Sequence, residues 1–361
     1  MCSISGFYNP NQHYLQKEEY WTGVLKNMAG SGVRRGPEDS GIWLSQDTGF
    51  AHTRLSIVDL TTGHQPITRS RGGRTFAIIY NGELYNTGEL RQELSARGCT
   101  FATLSDTEVI LAGFMEYGPD FVRQMNGIFA FAVADPEKKA LYLFRDRAGV
   151  KPCFFMEANE TLLFASEPKG ILSYPGITPT VDRQGLNEIF SLGPARTGGC
   201  GIYKGLHEVL PGHFLCYGPQ GIQDNAYWQL QSRPHEDSFE KTVEKTSFLV
   251  QDAVSRQMVS DVPICTFLSG GVDSSLVSAI CAAKLKEQGQ QLTTFSFDFT
   301  DNDKYFTPNA FQPSQDRPYV AQMAAFLGSK PVSYTHLDVY KRQGSLSPHR
   351  ECRRLPHFPP S

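Results

Sequence analysis

The chain has 361 residues, with 34 Lys plus Arg against 37 Asp plus Glu, a net charge of −3, and 40% hydrophobic and 20% charged residues. This is the composition of an ordinary globular protein long enough for two domains, and it offers no basic surface for nucleic acid. No apolar run approaches the ~18 residues of a membrane-spanning helix, and the opening MCSISGFYNP lacks the basic flank and apolar core of a secretory signal, so the expectation is a cytoplasmic protein with no membrane partner.

The first part of the chain reads as short strands separated by turn signals: GIWLSQ, GFAHTRLSIVD, TFAIIYNGELYN, GIFAFAVADPEKKALYLFRDRAG and CFFMEANETLLFASE. FAFAVAD and ALYLFRD, joined by PEKK, predict a hairpin. Helical periodicity covers GELRQELSARG and DTEVILAGFMEYG, each stopping at a glycine. Strands and helices in separate layers predict an α+β sandwich over residues 1–220. A polar linker, 221–237, follows. The grammar then changes to a helix with Val243, Val250, Val254 and Met258 on one stripe, a buried strand ICTFL, the turn SGGVDSS, a helix and the strand LTTFSFDF. This order opens a parallel α/β sheet over 238–331. Eight cysteines are scattered without a CxxC pair, so neither a zinc site nor a disulfide framework is suggested. Cys265 and Cys281 sit in apolar text and are expected to be inert core thiols. From Val332 the text turns Arg-, Pro- and His-rich with no apolar period. Residues 332–361 are therefore expected to be a non-native or disordered tail after a truncated second domain that keeps only two strands.

Two constellations carry chemistry. A thiol at position 2 has little structural use, and if Met1 is removed, Cys2 carries an α-amine whose reference pKa of ~7.7–8.0 suits a base for its own thiol. Asn81-Gly82, in YNGELYN, reads either as a turn or as two amide donors of an oxyanion hole. Arg54, Glu83 and Asp106 suit a zwitterionic amino acid, arginine for its carboxylate and acids for its ammonium. His52 is expected to be a packed pocket wall. The blocks FRDRAGVKP and SEPKG are expected to hold loops in shape.

MCSISG, RRGPEDSG, HTRLSIVD, YNGELYN, SDTEVIL, NGIFAFAVAD, FRDRAGVKP and FASEPKGIL stand in the order found in class II glutamine amidotransferases. With LSGGVDSS following, residues 1 to about 331 resemble the glutamine-hydrolysing asparagine synthetases. The resemblance implies an N-terminal nucleophile hydrolase fold, an αββα sandwich. It makes Cys2 the nucleophile, Asn81 and Gly82 the oxyanion hole, and Arg54, Leu55, Ser56, Ile57, Val58, Glu83 and Asp106 the glutamine-binding set.

The second constellation is Leu268 to Ser275. Gly270 and Gly271, between a strand and a helix, let backbone N–H groups approach a phosphate, and Ser269, Ser274 and Ser275 add hydroxyls. The Gly-Lys-Ser/Thr ending of a Walker A loop is absent. Asp273 would repel pyrophosphate without a cation, so it is read as a Mg²⁺ ligand. The motif resembles the PP-loop of ATP pyrophosphatases, in which Leu268 and Phe297 would contact adenosine. The resulting expectation is a two-site enzyme: glutamine supplies ammonia, and ATP activates aspartate as an adenylate that the ammonia converts to asparagine. Another carboxylate acceptor, or glutamine hydrolysis alone, remains an alternative. A homodimer is the candidate assembly.

Overall fold

The text after Cys2 is a strand, β1 (Ser3–Tyr8), buried at all six residues. Continuous burial without alternation means that both faces are covered. In the computed structural model, which describes residues 2–336 except 194, 300, 311 and 312, β1 is followed by α1 (Glu18–Ser31), β2 (Asp39–Leu44), β3 (Thr48–Arg54), β4 (Ile67–Arg71) and β5 (Arg74–Leu84). Next come α2 (Thr87–Ala96), α3 (Asp106–Tyr117), β6 (Gly127–Asp135), β7 (Ala140–Arg145), β8 (Phe154–Ala158) and β9 (Thr161–Ala165). The first unit closes with α4 (Pro168–Leu172), α5 (Arg183–Leu192), β10 (Leu206–Glu208), β11 (His213–Gly218) and β12 (Gly221–Ala226).

These strands make two six-stranded sheets, in the orders β10-β8-β9-β1-β3-β2 and β12-β11-β7-β6-β5-β4. Ile4, Phe50, Ile79, Ala132, Leu143 and Phe164 fill the space between them. On the outer face of the second sheet, Leu94 of α2 and Ile110 and Phe114 of α3 pack with Ile78, Phe131 and Phe144. On the outer face of the first, Leu25 and Met28 of α1 and Ile171 of α4 pack with Phe7 and Leu163. Three apolar seams between four layers define the αββα sandwich of an N-terminal nucleophile hydrolase. The turns follow local chemistry. Asp135 Oδ1 accepts the N–H groups of Glu137 and Lys138 at 2.9 and 3.0 Å and closes the β6–β7 hairpin. Asn159 and Glu160, both at positive φ, form the tight turn between β8 and β9.

The first unit runs to Arg233, beyond the 1–220 span expected from the sequence, because β12 completes an antiparallel pair with β11. The second unit, 234–361, contains α6 (Phe239–Arg256), β13 (Cys265–Phe267), α7 (Val272–Glu287), β14 (Thr293–Phe299), α8 (Asn302–Tyr305), α9 (Arg317–Leu327) and β15 (Lys330–His336). Its three strands are parallel in the order β13-β14-β15.

Two expectations are corrected here. The sheet has a third strand, because residues 330–336 pair with 293–299 in register. Ladder hydrogen bonds come from the backbone and need no apolar period. The rest of the expected tail, 337–361, lies outside the described residues. Cys281 is buried as expected, but Cys265 is exposed. It stands on β13, an edge strand of three residues with little covering it. The stripe on α6 is only partly used: Val254 and Met258 pack against Cys281, Leu285 and Leu292, while Val243 is exposed. Among the described residues, no helix is long and apolar enough to cross a membrane.

Phe164 is fully buried between the sheets, edge-on to Phe50. Phe164→Ala should therefore destabilise the first unit by about 3–5 kcal/mol. Phe190→Ala on α5, where the ring is 82% exposed, should stay within about 0.5 kcal/mol. Denaturant unfolding of both variants checks the contrast.

Candidate active site

Cys2 stands at the head of β1, and its place is set by neighbours on both sides of the chain. The Ile4 and Ser166 segments bond reciprocally, Ile4 N–H to Ser166 Oγ at 3.0 Å and Ser166 N–H to the Ile4 carbonyl at 2.8 Å. Arg35 Nε donates to the Cys2 carbonyl at 3.0 Å and its guanidinium pairs with Glu167 at 3.2 Å. Lys169 pairs with the same Glu167 at 2.6 Å. SEPKG thus shapes the neighbourhood, as its sequence suggested. The Cys2 thiol donates to the Leu55 carbonyl at 3.6 Å.

A pocket opens beside this thiol. It is lined by Cys2, Arg54, Leu55, Ile57, Val58, Gly82, Glu83 and Asp106, which are expected site residues, together with Gly63, Gln65, Tyr80, Ser105 and Thr107. The loop after β3 is wound around Arg54, whose Nη2 donates to the carbonyls of Val58 at 3.1 Å and Asp59 at 2.6 Å. Ser56 does not line the pocket; its N–H donates to Glu38 Oε2 at 2.9 Å and tethers that loop to the RRGPEDSG segment.

Asn81-Gly82 is not a turn. Both residues lie inside β5, with Asn81 opposite Ala130 and Gly82 opposite Phe129. A side chain at Gly82 would sit 2.4 Å from the Ile128 carbonyl and 2.7 Å from Phe129 Cβ, so the close approach of β6 requires glycine. β4 pairs with β5 only as far as Ile78. Beyond it, the free edge of β5 carries Tyr80 N–H, held by Gln65 Oε1 at 2.6 Å, and Leu84 N–H, held by Asp106 Oδ2 at 3.3 Å. The two-residue period places Gly82 N–H on the same edge, between those two bonds and facing the pocket. The Asn81 side chain is 1% exposed, and its Nδ2 has no hydrogen-bond partner among the described residues. A buried amide donor without an acceptor is costly unless something else supplies one.

The electrostatics are equally incomplete. Neither Glu83 nor Asp106 has an ion pair among the described residues. Burial, then the neighbouring Asp106, pushes Glu83 up to about 7, against the pull of Lys151. Burial also raises Asp106, opposed by N–H bonds from Leu84 and Thr107. Burial raises the Cys2 thiol too; Glu83 adds to this and Arg54 counters it. His52, expected as a packed pocket wall, is packed but does not line the pocket: it is buried, bonded to the Tyr80 carbonyl at 3.1 Å and lowered to about 4 by burial. Gln65, Tyr80 and Thr107 were not legible as site residues. Thr107 adjoins Asp106 in SDTEV, but nothing local marks Gln65, which reaches β5 from 15 residues upstream.

In the second unit, Leu268 is buried and its N–H donates to the Phe295 carbonyl at 2.8 Å. Ser269 Oγ and Ser274 Oγ meet at 2.9 Å across the turn, and Ser274 Oγ donates to the Gly271 carbonyl at 3.2 Å. Gly270 has φ +79° and lies where a Cβ would be 2.7 Å from Tyr319 Cβ, so glycine is needed on both counts. Gly271 caps α7, with Asp273 in its first turn and Ser275 N–H bonded to the Gly271 carbonyl at 3.1 Å. Phe297 is exposed and stacks on Phe267 with centroids 5.8 Å apart. Among the described residues no three acidic, His or Cys side chains gather as a metal site. Asp273 alone fits a Mg²⁺ whose other ligands are nucleotide phosphates and water.

The αββα layers carry the pocket beside Cys2 at the head of β1. A profile described as glutamine amidotransferase domain matches residues 1–228, and the chain belongs to that family. A second profile, asparagine synthase, matches residues 246–343. The chain is similar to asparagine synthetase [glutamine-hydrolyzing] 3 of Bacillus subtilis, 45% identical over 97% of this chain and 56% of the relative. Asparagine synthetase [glutamine-hydrolyzing] 1 of the same organism is 34% identical over 83% of this chain and 46% of its own length. Amidase chyE of Penicillium rubens is 31% identical over 85% and 46%. The chain thus spans about half the length of the curated relatives it matches.

Glu83 makes the pocket testable without any ligand. A carboxyl raised from 4.5 to about 7 binds more protons folded than unfolded, so stability falls as pH rises from 4.5 to 7. Glu83→Gln should therefore stabilise the chain at pH 8, by up to about 3 kcal/mol, and the gain should vanish by pH 4. Melting temperatures across that range report it, and an equal gain at both ends would contradict the assignment.

Proposed function

We propose that the first unit hydrolyses the side-chain amide of glutamine, with Cys2 as nucleophile, and that the parent protein uses the ammonia to make asparagine from aspartate and ATP. The observation that carries the first half is the pocket beside Cys2, lined by Arg54, Glu83 and Asp106, with an unsatisfied amide on Asn81, the strand neighbour of the pocket-lining Gly82. A zwitterionic amide supplies a partner for each. Its α-ammonium answers Glu83 and Asp106. Its α-carboxylate lies near Arg54 and the Leu55–Val58 backbone. Its amide oxygen, once negative, accepts from Asn81 Nδ2 and Gly82 N–H.

Chemistry follows from the charge states. Burial keeps the Cys2 thiol protonated, so attack needs a base. Removal of Met1 would make the Cys2 α-amine that base. Sulfur attacks the amide carbon and the α-ammonium returns the proton to the departing nitrogen. Ammonia leaves a thioester, which water cleaves to glutamate.

The second half is supported by the asparagine synthase match and by the strand–turn–helix of the second unit. There the Leu268–Ser275 turn would cradle ATP phosphates, Asp273 would hold Mg²⁺, and Leu268 and Phe297 would meet adenosine. The similarity to an amidase supports a second reading, in which the acceptor is a different carboxylate.

Cys2→Ala should abolish glutamate release from glutamine while leaving the melting temperature within a few degrees, and retained hydrolysis would refute the nucleophile. A chain shown by mass spectrometry to keep Met1 should lose nearly as much. Pyrophosphate release from ATP by the full-length parent, dependent on aspartate rather than on other carboxylates, decides the acceptor.

A further inference from the structure

Tyr80 lies on β5 beyond the last pairing with β4, and its ring enters the seam beneath α3 with Ile78, Leu84, Val109 and Ile110. The residue is 2% exposed, yet its hydroxyl has no hydrogen-bond partner among the described residues. Other buried tyrosines of the first unit are satisfied: the Tyr8 hydroxyl donates to the Lys139 carbonyl at 2.6 Å and that of Tyr227 to the Arg145 carbonyl at 2.7 Å. Tyr14 shares the lack, but it packs beneath α1 and does not line the pocket beside Cys2. The rest of the Tyr80 seam is filled by phenylalanines such as Phe76, Phe131 and Phe144. A phenylalanine would fill this place as well, without burying a hydroxyl that bonds to nothing.

The surroundings of that ring are those of Asp106. Tyr80, Ser105, Asp106 and Thr107 line the same pocket. Val109 and Ile110, three and four residues on from Asp106, pack in the Tyr80 seam, so Asp106 stands on the α3 face that meets Tyr80. Asp106 Oδ2 accepts from the N–H of Leu84, four residues along β5, and Gly82 between Tyr80 and Leu84 has no side chain to keep them apart on that face. Asp106 Oδ1 takes the Thr107 N–H at 2.8 Å. An ionised carboxylate has about four lone-pair sites, so it has room for another donor. Burial, then Asp106 and Glu83, push the Tyr80 phenol up, so it stays protonated and remains a donor.

We infer that Tyr80 is a positioning residue for glutamine hydrolysis, whose hydroxyl donates to the Asp106 carboxylate and fixes it to receive the substrate's α-ammonium. An ammonium beside Asp106 favours its charged form against the effect of burial, and the phenol then gains the acceptor it lacks. Tyr80 thus acts on the ammonium end of the substrate, through Asp106, and not on the amide that is cleaved. The inference rests on the glutaminase reading proposed above.

The test uses Tyr80→Phe in the whole chain, which keeps the ring and removes the hydroxyl. KM for glutamine should rise about tenfold, while kcat changes by less than about threefold. Calorimetry should show L-glutamate binding weakened by about the same factor, and inhibition of the hydrolysis by glutarate, which has no α-ammonium, should be unchanged. Because a buried hydroxyl without a partner is removed, the melting temperature should be equal or higher. An unchanged KM and L-glutamate affinity in the Phe variant would overturn the inference. So would equal losses for L-glutamate and glutarate, the mark of a distorted pocket. A Phe variant that melts lower or fails to fold would overturn it too, since the hydroxyl would then be a structural contact. A wild type that neither hydrolyses glutamine nor binds L-glutamate would instead remove the glutaminase reading, and this inference with it.

Discussion

Strand pairing on both edges of β1 is the constraint on which the site depends. β1 lies inside its sheet, with β3 along one edge from Ser3 to Tyr8 and β9 along the other from Ser5 to Tyr8. A free terminus is normally frayed, and a nucleophile on it would sample many positions. Here the ladder hydrogen bonds, the Ile4–Ser166 exchange and the Arg35 bond to the Cys2 carbonyl remove that freedom one residue before the strand begins. The αββα layering is what makes such a strand affordable, since all of its side chains have a covered face to enter.

The second feature of the molecule is a pocket whose charges and donors do not balance. Folding usually satisfies buried polar groups. Around Cys2 it leaves the Asn81 amide without a partner and gives Glu83 and Asp106 no ion pair among the described residues, while Arg54, Arg35 and Gln65 bond to loops and strand edges. Asp106 still accepts from the Leu84 and Thr107 N–H groups. This imbalance supports the zwitterionic amide proposed as the ligand. It also explains why burial dominates the proton equilibria of Cys2, Glu83 and Asp106 alike.

Much of the fold was legible because local chemistry and tertiary demand agree. FAFAVAD and ALYLFRD became β6 and β7, and SDTEVIL begins α3 behind a Ser105 cap. Readings failed where a local signal was outvoted. Asn-Gly is a strong turn signal, yet in β5 the glycine answers the closeness of β6, a partner more than 40 residues away in sequence. Cys265 sits in apolar text but on an edge strand of three residues, so its surroundings in the chain were not its surroundings in space. The stretch after Lys330 has no apolar period, and a parallel neighbour made it a strand regardless.

By itself the sequence determined the inventory: the cysteine at position 2, the acids at 83 and 106, the two-part organisation and the glycine-rich turn before α7. These are carried by residue type and spacing, which survive without coordinates. Only tertiary structure decided which of those groups lack a partner. Gln65 holds Tyr80 from 15 residues upstream and Arg54 is engaged by its own loop, while the buried Asn81 amide is left open. Satisfaction of a buried charge or donor is a property of three-dimensional neighbours, and no local pattern encodes it.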